Sequence, residues 1–181
     1  MVDGQRLPTT NELIEQHSGL LYRYAFRLSG NASDAEDLVQ QAYLLAHQRM
    51  SQLRDANAAR GWLVSILRNV FLKSLRHHQG GRSLDEIDEP QVTGSAETPI
   101  HVERLQDVLL ELSEEFRTPL VLYYFEEFSY QEIATQMEVP IGTVMSRLSR
   151  GKAYLKKRLT EEPARKLESP AVRPRKIALN R

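Results

Sequence analysis

The chain reads as an all-α protein built from two small helical domains joined by a flexible linker, and three observations say so. Apolar residues recur at helical spacing along most of the sequence. No stretch alternates with the period of two that marks a strand. The helical pattern lapses once in mid-chain, where glycine, proline and acids gather. At 181 residues there is room for one ordinary domain or two small ones.

The first helix is expected from about Thr10 to Ser29. Leu13, Ile14, His17, Leu20, Leu21, Tyr24, Ala25 and Leu28 share one face, and Gly30 is a natural stop. Ser33-Asp34-Ala35-Glu36 reads as a capping box opening a second helix, with Ala35, Leu38, Val39, Ala42, Tyr43, Ala46 and Met50 as its apolar stripe. A polar connector, Ser51 to Arg60, leads to a third helix that turns Trp62, Leu63, Ile66, Leu67, Val70 and Phe71 inward. None of these stripes can be buried alone, so the three helices form one bundle over residues 10–79.

Residues 80–100 have linker composition: Gly80, Gly81, Pro90, Gly94 and Pro99 stand among acids. A second bundle, residues 101–159, restarts near His101 with Val102, Leu105, Val108, Leu109 and Leu112. The helix after Ser113 contains Pro119, which is expected to strain or restart its first turns. Ser129-Tyr130-Gln131-Glu132 is another capping box, opening a short helix from Tyr130 to Met137. Glu138-Val139-Pro140 makes a tight turn, and Pro140 suits the first position of a last helix reaching about Leu159. Residues 160–181 hold three prolines and the bases Arg165, Lys166, Arg173, Arg175, Lys176 and Arg181, and read as a disordered basic tail.

Composition removes several function classes. There is no cysteine, hence no disulfide, thiolate metal site or cysteine nucleophile. No apolar run approaches the roughly 20 residues needed to cross a bilayer, and the opening Met1-Val2-Asp3-Gly4-Gln5 lacks signal-peptide character. A soluble, cytoplasmic protein without membrane insertion is expected. The histidines (His17, His47, His77, His78, His101) have no metal-ligand spacing, and no HExxH, phosphate loop or nucleophile elbow occurs. Neither an enzyme nor a bound metal or cofactor is expected.

The net charge is zero, yet the charges are segregated. Residues 60–82 carry five bases and no acid, and residues 141–159 carry six bases and no acid. Between them, residues 83–100 have five acids and no base, and residues 101–139 nine acids against two bases. Two cationic islands in a neutral chain suggest two separate contacts with a polyanion, although a single island is equally a solvated helix face.

The second island lies on a short helix, a three-residue turn and a longer helix, the helix-turn-helix arrangement whose second helix enters a DNA major groove. At about 100° per residue, Val144, Leu148, Leu155 and Leu159 form one side, with Gly151 among them for close approach. Thr143, Ser146, Arg147, Arg150 and Lys157 occupy another arc, facing away from the core. Arginine's parallel donors match guanine O6 and N7, while hydroxyls suit bases or phosphates. Lys152, Lys156 and Arg158 suit phosphates or another surface.

Gly142-Thr143-Val144-Met145-Ser146-Arg147-Leu148, with Ser129-Tyr130-Gln131-Glu132-Ile133-Ala134 before it, closely resembles the C-terminal DNA-binding domain of extracytoplasmic-function (ECF) sigma factors of bacterial RNA polymerase. The resemblance implies a sigma region 4-like domain that reads the upstream −35 promoter element, with Thr143, Ser146, Arg147, Arg150 and Lys157 on DNA. Position 145 is often basic in that family and is Met145 here, so the promoter sequence does not carry over.

Asp34-Ala35-Glu36-Asp37-Leu38-Val39-Gln40-Gln41-Ala42-Tyr43 is similar to the same family's N-terminal signature, a sigma region 2-like domain. The resemblance implies that Asp34, Asp37, Leu38, Gln40 and Gln41 dock on core RNA polymerase. The acids also favour the positive end of their own helix. Arg60-Gly61-Trp62-Leu63-Val64-Ser65-Ile66-Leu67-Arg68-Asn69 resembles the family segment that opens and reads the −10 element. Captured single-stranded bases need aromatic faces, cations and amides. Asn57, Arg60, Trp62, Asn69, Lys73 and Arg76 are the candidates, Trp62 being equally suited to the core. Lys73 stands where the family often has an acid.

Promoter DNA and core RNA polymerase are therefore the expected partners, with an anti-sigma factor possible in this family. The alternative is a conventional helix-turn-helix regulator with a helical N-terminal sensor or dimerisation domain. That alternative accounts for the second domain and leaves the basic, tryptophan-bearing segment of the first unexplained.

Overall fold

The computed structural model describes residues 6–78 and 102–160, so the expected linker and tail lie outside the described residues. Among the described residues every regular element is helical. These are α1 (Thr10–Ser29), α2 (Ala32–Gln48), α3 (Ala59–His78), α4 (Val102–Glu111), α5 (Glu114–Tyr124), α6 (Tyr130–Met137) and α7 (Ile141–Thr160). Two 3₁₀ turns, Met50–Gln52 and Ala56–Ala58, bridge α2 and α3.

Helices α1, α2 and α3 pack on one another as the first bundle, and α4 to α7 form the second around α7. Leu13, Leu21, Tyr24, Ala25 and Leu28 of α1 meet Ala35, Leu38, Ala42 and Ala46 of α2 and Leu63, Val64 and Leu67 of α3 in the core. The alanines of α2 let the helix axes approach. Ile14, expected inside, is exposed, because it lies at the edge of the α1 stripe.

Two local expectations need correction. The cap of α2 is Asn31, whose Oδ1 accepts from the Asp34 amide at 2.8 Å; Ser33 sits inside the first turn. Gly30, at φ 85°, ends α1 so sharply that α2 begins at once, leaving no room for a cap at Ser33. Pro119 neither breaks nor restarts α5, which runs unbroken through it. It is the sixth residue of α5, so one intrahelical bond, to the Glu115 carbonyl, is forgone, and its ring is buried. The Ser129–Glu132 capping box is present as expected, with reciprocal bonds of 3.3 and 2.8 Å. The Ser129 hydroxyl, donating to the Glu132 carboxylate at 2.6 Å, and the Ser129 amide hold that carboxyl below its ordinary range.

Candidate nucleic-acid interface

Helix α7 is held by its buried edge. Val144, Leu148 and Gly151 are buried against α5 and α6. A Cβ on Gly151 would come within 2.7 Å of Leu120 Cδ1, so any larger residue would require Leu120 to shift. The Pro140 carbonyl accepts from the amides of Thr143 and Val144, which makes Pro140 the residue before the helix and not its first.

The opposite face offers Ser146, Ser149, Arg150 and Lys157 to solvent, with Lys156 and Met145 along one edge. Met145 is 53% exposed, an apolar tip among polar neighbours. Arg147 behaves differently: it is half-buried and its Nη2 donates to Glu115 Oε2 of α5 at 3.0 Å. Thr143 is also half-buried. Arg158 turns back onto α4 and donates to both Glu111 oxygens at 2.7 and 2.8 Å, while Tyr154 donates to the same carboxylate at 2.9 Å. Those bonds draw the Glu111 carboxyl below its ordinary value. Arg158 is thus a staple between α4 and α7, not an outward phosphate ligand.

On α3, Trp62, Asn69, Lys73 and Arg76 fall within an arc of about 60° at helical periodicity. Asn69, Lys73 and Arg76 are exposed and Trp62 is half-buried. Asn57 is exposed in the turn before α3, where Asp55 accepts from its amide at 2.9 Å. The structure therefore gathers four of the six residues along one edge of α3, with Asn57 in the turn before it. Arg60 leaves that group: it sits on the other side of α3, against the second bundle.

On α2, Asp34, Asp37, Gln40 and Gln41 are all exposed. Leu38 is not; at 6% exposure it belongs to the core. The apolar residue α2 does present is Leu44, 58% exposed and aligned with Asp37, Gln41 and Gln48 at spacings of four, three and four. Sequence reasoning missed it because Leu38 and Leu44 both sit in apolar stretches. The signal was available in the i, i+4, i+7, i+11 register with Asp37.

The buried apolar residues of the two bundles belong to one continuous cluster, and polar contacts cross between the bundles beside it. Glu126, in the turn after α5, has a side chain only 1% exposed and receives Arg23 Nη2 of α1 at 2.9 Å. Its second oxygen is buried without a hydrogen bond. Arg60 donates to the Glu126 carbonyl and lies over the Phe128 ring, 4.1 Å from its centroid. Arg27 covers Phe125 in the same way, also at 4.1 Å. Burial pushes the Glu126 carboxyl above its ordinary range, against the pull of Arg23, Arg60 and Arg27.

Further along, Gln136 of α6 donates to the Gly61 carbonyl at 2.9 Å and bonds the Ser65 hydroxyl, while Arg68 pairs with Glu114 at 2.9 Å. Carbonyls at the end of α1 also receive donors from the second bundle: Gln106 reaches Phe26 and Arg27, and Arg117 reaches Leu28 at 2.7 Å. Among the described residues no group of three or more histidine and acid side chains could hold a metal, and no helix is long and apolar enough to cross a membrane.

Comparison with known proteins agrees with this geometry. The family Sigma-70 region 2 matches residues 13–80, and the family Sigma-70, region 4 matches residues 102–155. The ECF RNA polymerase sigma factor SigE of Mycolicibacterium smegmatis is 35% identical over 176 residues, covering 92% of this chain and 68% of the relative. The ECF RNA polymerase sigma factor SigL of Mycobacterium tuberculosis is 36% identical over 142 residues, 75% of this chain and 80% of the relative. Among solved structures, the sigma factor RpoE bound to the anti-sigma factor NepR from Bartonella quintana shares the fold, with a TM-score of 0.68 at 24% identity over 84% of this chain and 98% of that one. CnrH bound to the cytosolic domain of CnrY gives a TM-score of 0.64 at 19% identity over 85% and 89%.

Proposed function

The chain belongs to the ECF RNA polymerase sigma factors, and we propose a residue-level division of labour for its role in directing transcription initiation. The first bundle, residues 10–79, docks on core polymerase through α2 and captures the unpaired −10 strand with α3. The second bundle, residues 101–159, sets α7 in the major groove of the −35 element. The observation that carries this reading is the pair of separate cationic helix faces, one on each bundle, in the order in which the two sigma families match.

On α2, the docking stripe is Asp37, Gln41 and Leu44, flanked by Asp34 and Gln40. An acidic, amide-rich face with one apolar tip fits a basic helical partner. On α3, the Trp62–Asn69–Lys73–Arg76 edge, together with Asn57 from the turn before it, supplies one aromatic face, two amides and two cations. That is the chemistry that stacks and hydrogen-bonds an unstacked base. On α7, Ser146, Arg150 and Lys157 point outward directly. Arg147 and Thr143 join them at the groove edge, Arg147 by exchanging Glu115 for a guanine or a phosphate.

This role involves no chemistry of the chain's own; the polymerase makes the bonds. It places the protein in the cytoplasm. An anti-sigma protein is a further partner consistent with the proposal, since RpoE was solved with the anti-sigma factor NepR bound. The test is run-off transcription by purified core polymerase over a promoter library. Specific starts that appear only when the chain is added support the reading. Binding to duplex DNA without any dependence of initiation on the chain would return the field to a conventional helix-turn-helix regulator.

A further inference from the structure

We propose that the cleft between α1, α4 and the turn after α5 is a binding site for a small zwitterion with an aromatic body, of the aromatic α-amino acid class, whose carboxylate is held by Arg23 and Arg27 and whose ammonium is held by Glu126 in the field of Glu103 and Asp107. The cleft has a volume of about 460 Å³, and none of its lining residues lies on α2, α3 or α7. The inference is therefore separate from the promoter role. Clefts of this size where two packed units meet are common places for small ligands.

The two walls carry opposite charge. On α1, Arg23 and Arg27 stand one turn apart, and both line the cleft. A guanidinium has five N–H donors. Arg23 gives one to Glu126 Oε2 at 2.9 Å, and Arg27 gives one to Gln106 Oε1 at 3.3 Å. The Arg23 side chain is 60% exposed, which leaves its other donors open to a ligand. Two forked cations one turn apart suit a carboxylate. On α4, Glu103 and Asp107 are likewise one turn apart, exposed, and part of the opposite wall. The arginines bond Glu126 and Gln106 and not these two acids. Like charges at this spacing repel, and a cation beside them relieves the repulsion.

The floor supplies the independent sign of a ligand. Glu126 lines the cleft, is only 3% exposed, and its Oε1 is buried without a hydrogen bond. A buried acceptor left without a donor is rare in folded proteins, and a ligand ammonium provides the donor. Among the described residues no acids converge closely enough to hold a metal ion, so a larger, hydrogen-bonding cation is the one that fits. Arg27 already covers the Phe125 ring, whereas Phe26 and Tyr22, with ring centres 6.4 Å apart, offer apolar surface to an aromatic body. A purely anionic ligand would meet Glu103 and Asp107, and a purely cationic one would meet Arg23 and Arg27. A ligand bearing both signs satisfies both walls.

The test is calorimetric titration of the full chain with three probes that share one ring: L-phenylalanine with both charges, phenethylamine with the amine alone, and 3-phenylpropionate with the carboxylate alone. Phenylalanine is expected to bind at one site, at least about tenfold more tightly than either analogue. The double variant Glu103→Gln, Asp107→Asn changes two exposed side chains outside the core. It is expected to bind phenylalanine at least about fivefold more weakly while its own Tm stays that of wild type. Amide NMR shifts on adding phenylalanine are expected in the second half of α1, in α4 and in the turn at Phe125 and Glu126. The proposal is overturned if phenylalanine shows no binding up to about 10 mM, if either analogue matches it, if the double variant binds as wild type does, or if the shifts fall elsewhere. No readout involves DNA or polymerase, so a failure here leaves the promoter role standing, and a failure of that role leaves this site standing.

Discussion

Replacing Leu44 with alanine separates polymerase docking from folding. Leu44 is 58% exposed on the outer face of α2, and truncating it leaves the core untouched. Full burial of a leucine contributes about 1.5–3 kcal/mol, so covering the exposed part of this one against a partner contributes about 1–2 kcal/mol. The expected outcome is affinity for core polymerase about 5- to 30-fold lower, with the melting temperature of the free chain essentially unchanged. Leu38→Ala is the internal contrast. Leu38 lies in the core, and emptying its site is expected to destabilise the chain by about 2–5 kcal/mol, lowering Tm by about 10 °C or more. Titration of labelled chain with core polymerase, alongside thermal unfolding by circular dichroism, reads both. Undiminished affinity of Leu44→Ala, or an unshifted Tm for Leu38→Ala, would refute the orientation of α2 on which the docking assignment depends.

Three further outcomes follow. Arg147→Ala is expected to weaken recognition of the −35 duplex by about 1–3 kcal/mol, the scale of one bidentate base contact; Glu115→Gln, which releases Arg147, should strengthen it, and equal gel-shift midpoints for all three proteins would reject the contact. Gly30→Ala places a Cβ at φ 85° and 2.4 Å from Leu110 Cδ1 of the second bundle, so stability should fall by about 1–3 kcal/mol in urea unfolding. The Glu111 carboxyl has a folded pKa below its ordinary 4.5 because of Arg158 and Tyr154. Its stabilising share is present above the unfolded value and is lost as pH falls through the folded one. The Tm gap between wild type and Glu111→Gln should therefore be open at pH 7 and narrow as pH falls below 4.5 through the folded value. A gap that widens on acidification would contradict the assigned staple.

Much of this protein is written locally. The seven helices of the described residues, the Ser129–Glu132 box and the helix-turn-helix spacing follow from periodicity and from bonds that close within one turn, where the deciding residues are three or four apart. The cap at Asn31 was misplaced onto Ser33 because the two share cap chemistry, and only the left-handed geometry of Gly30 chooses between them. Periodicity likewise names the apolar residues of α2 but not which of its edges remains uncovered, because that depends on where α1 and α3 come to rest. The same limit hid the partners of the cations. Arg147 meets Glu115 across 32 positions and Arg60 meets Glu126 across 66. No pattern within a helix encodes such pairings; they come into being when helices distant in sequence pack together, within the second bundle for Arg147 and across the two bundles for Arg60.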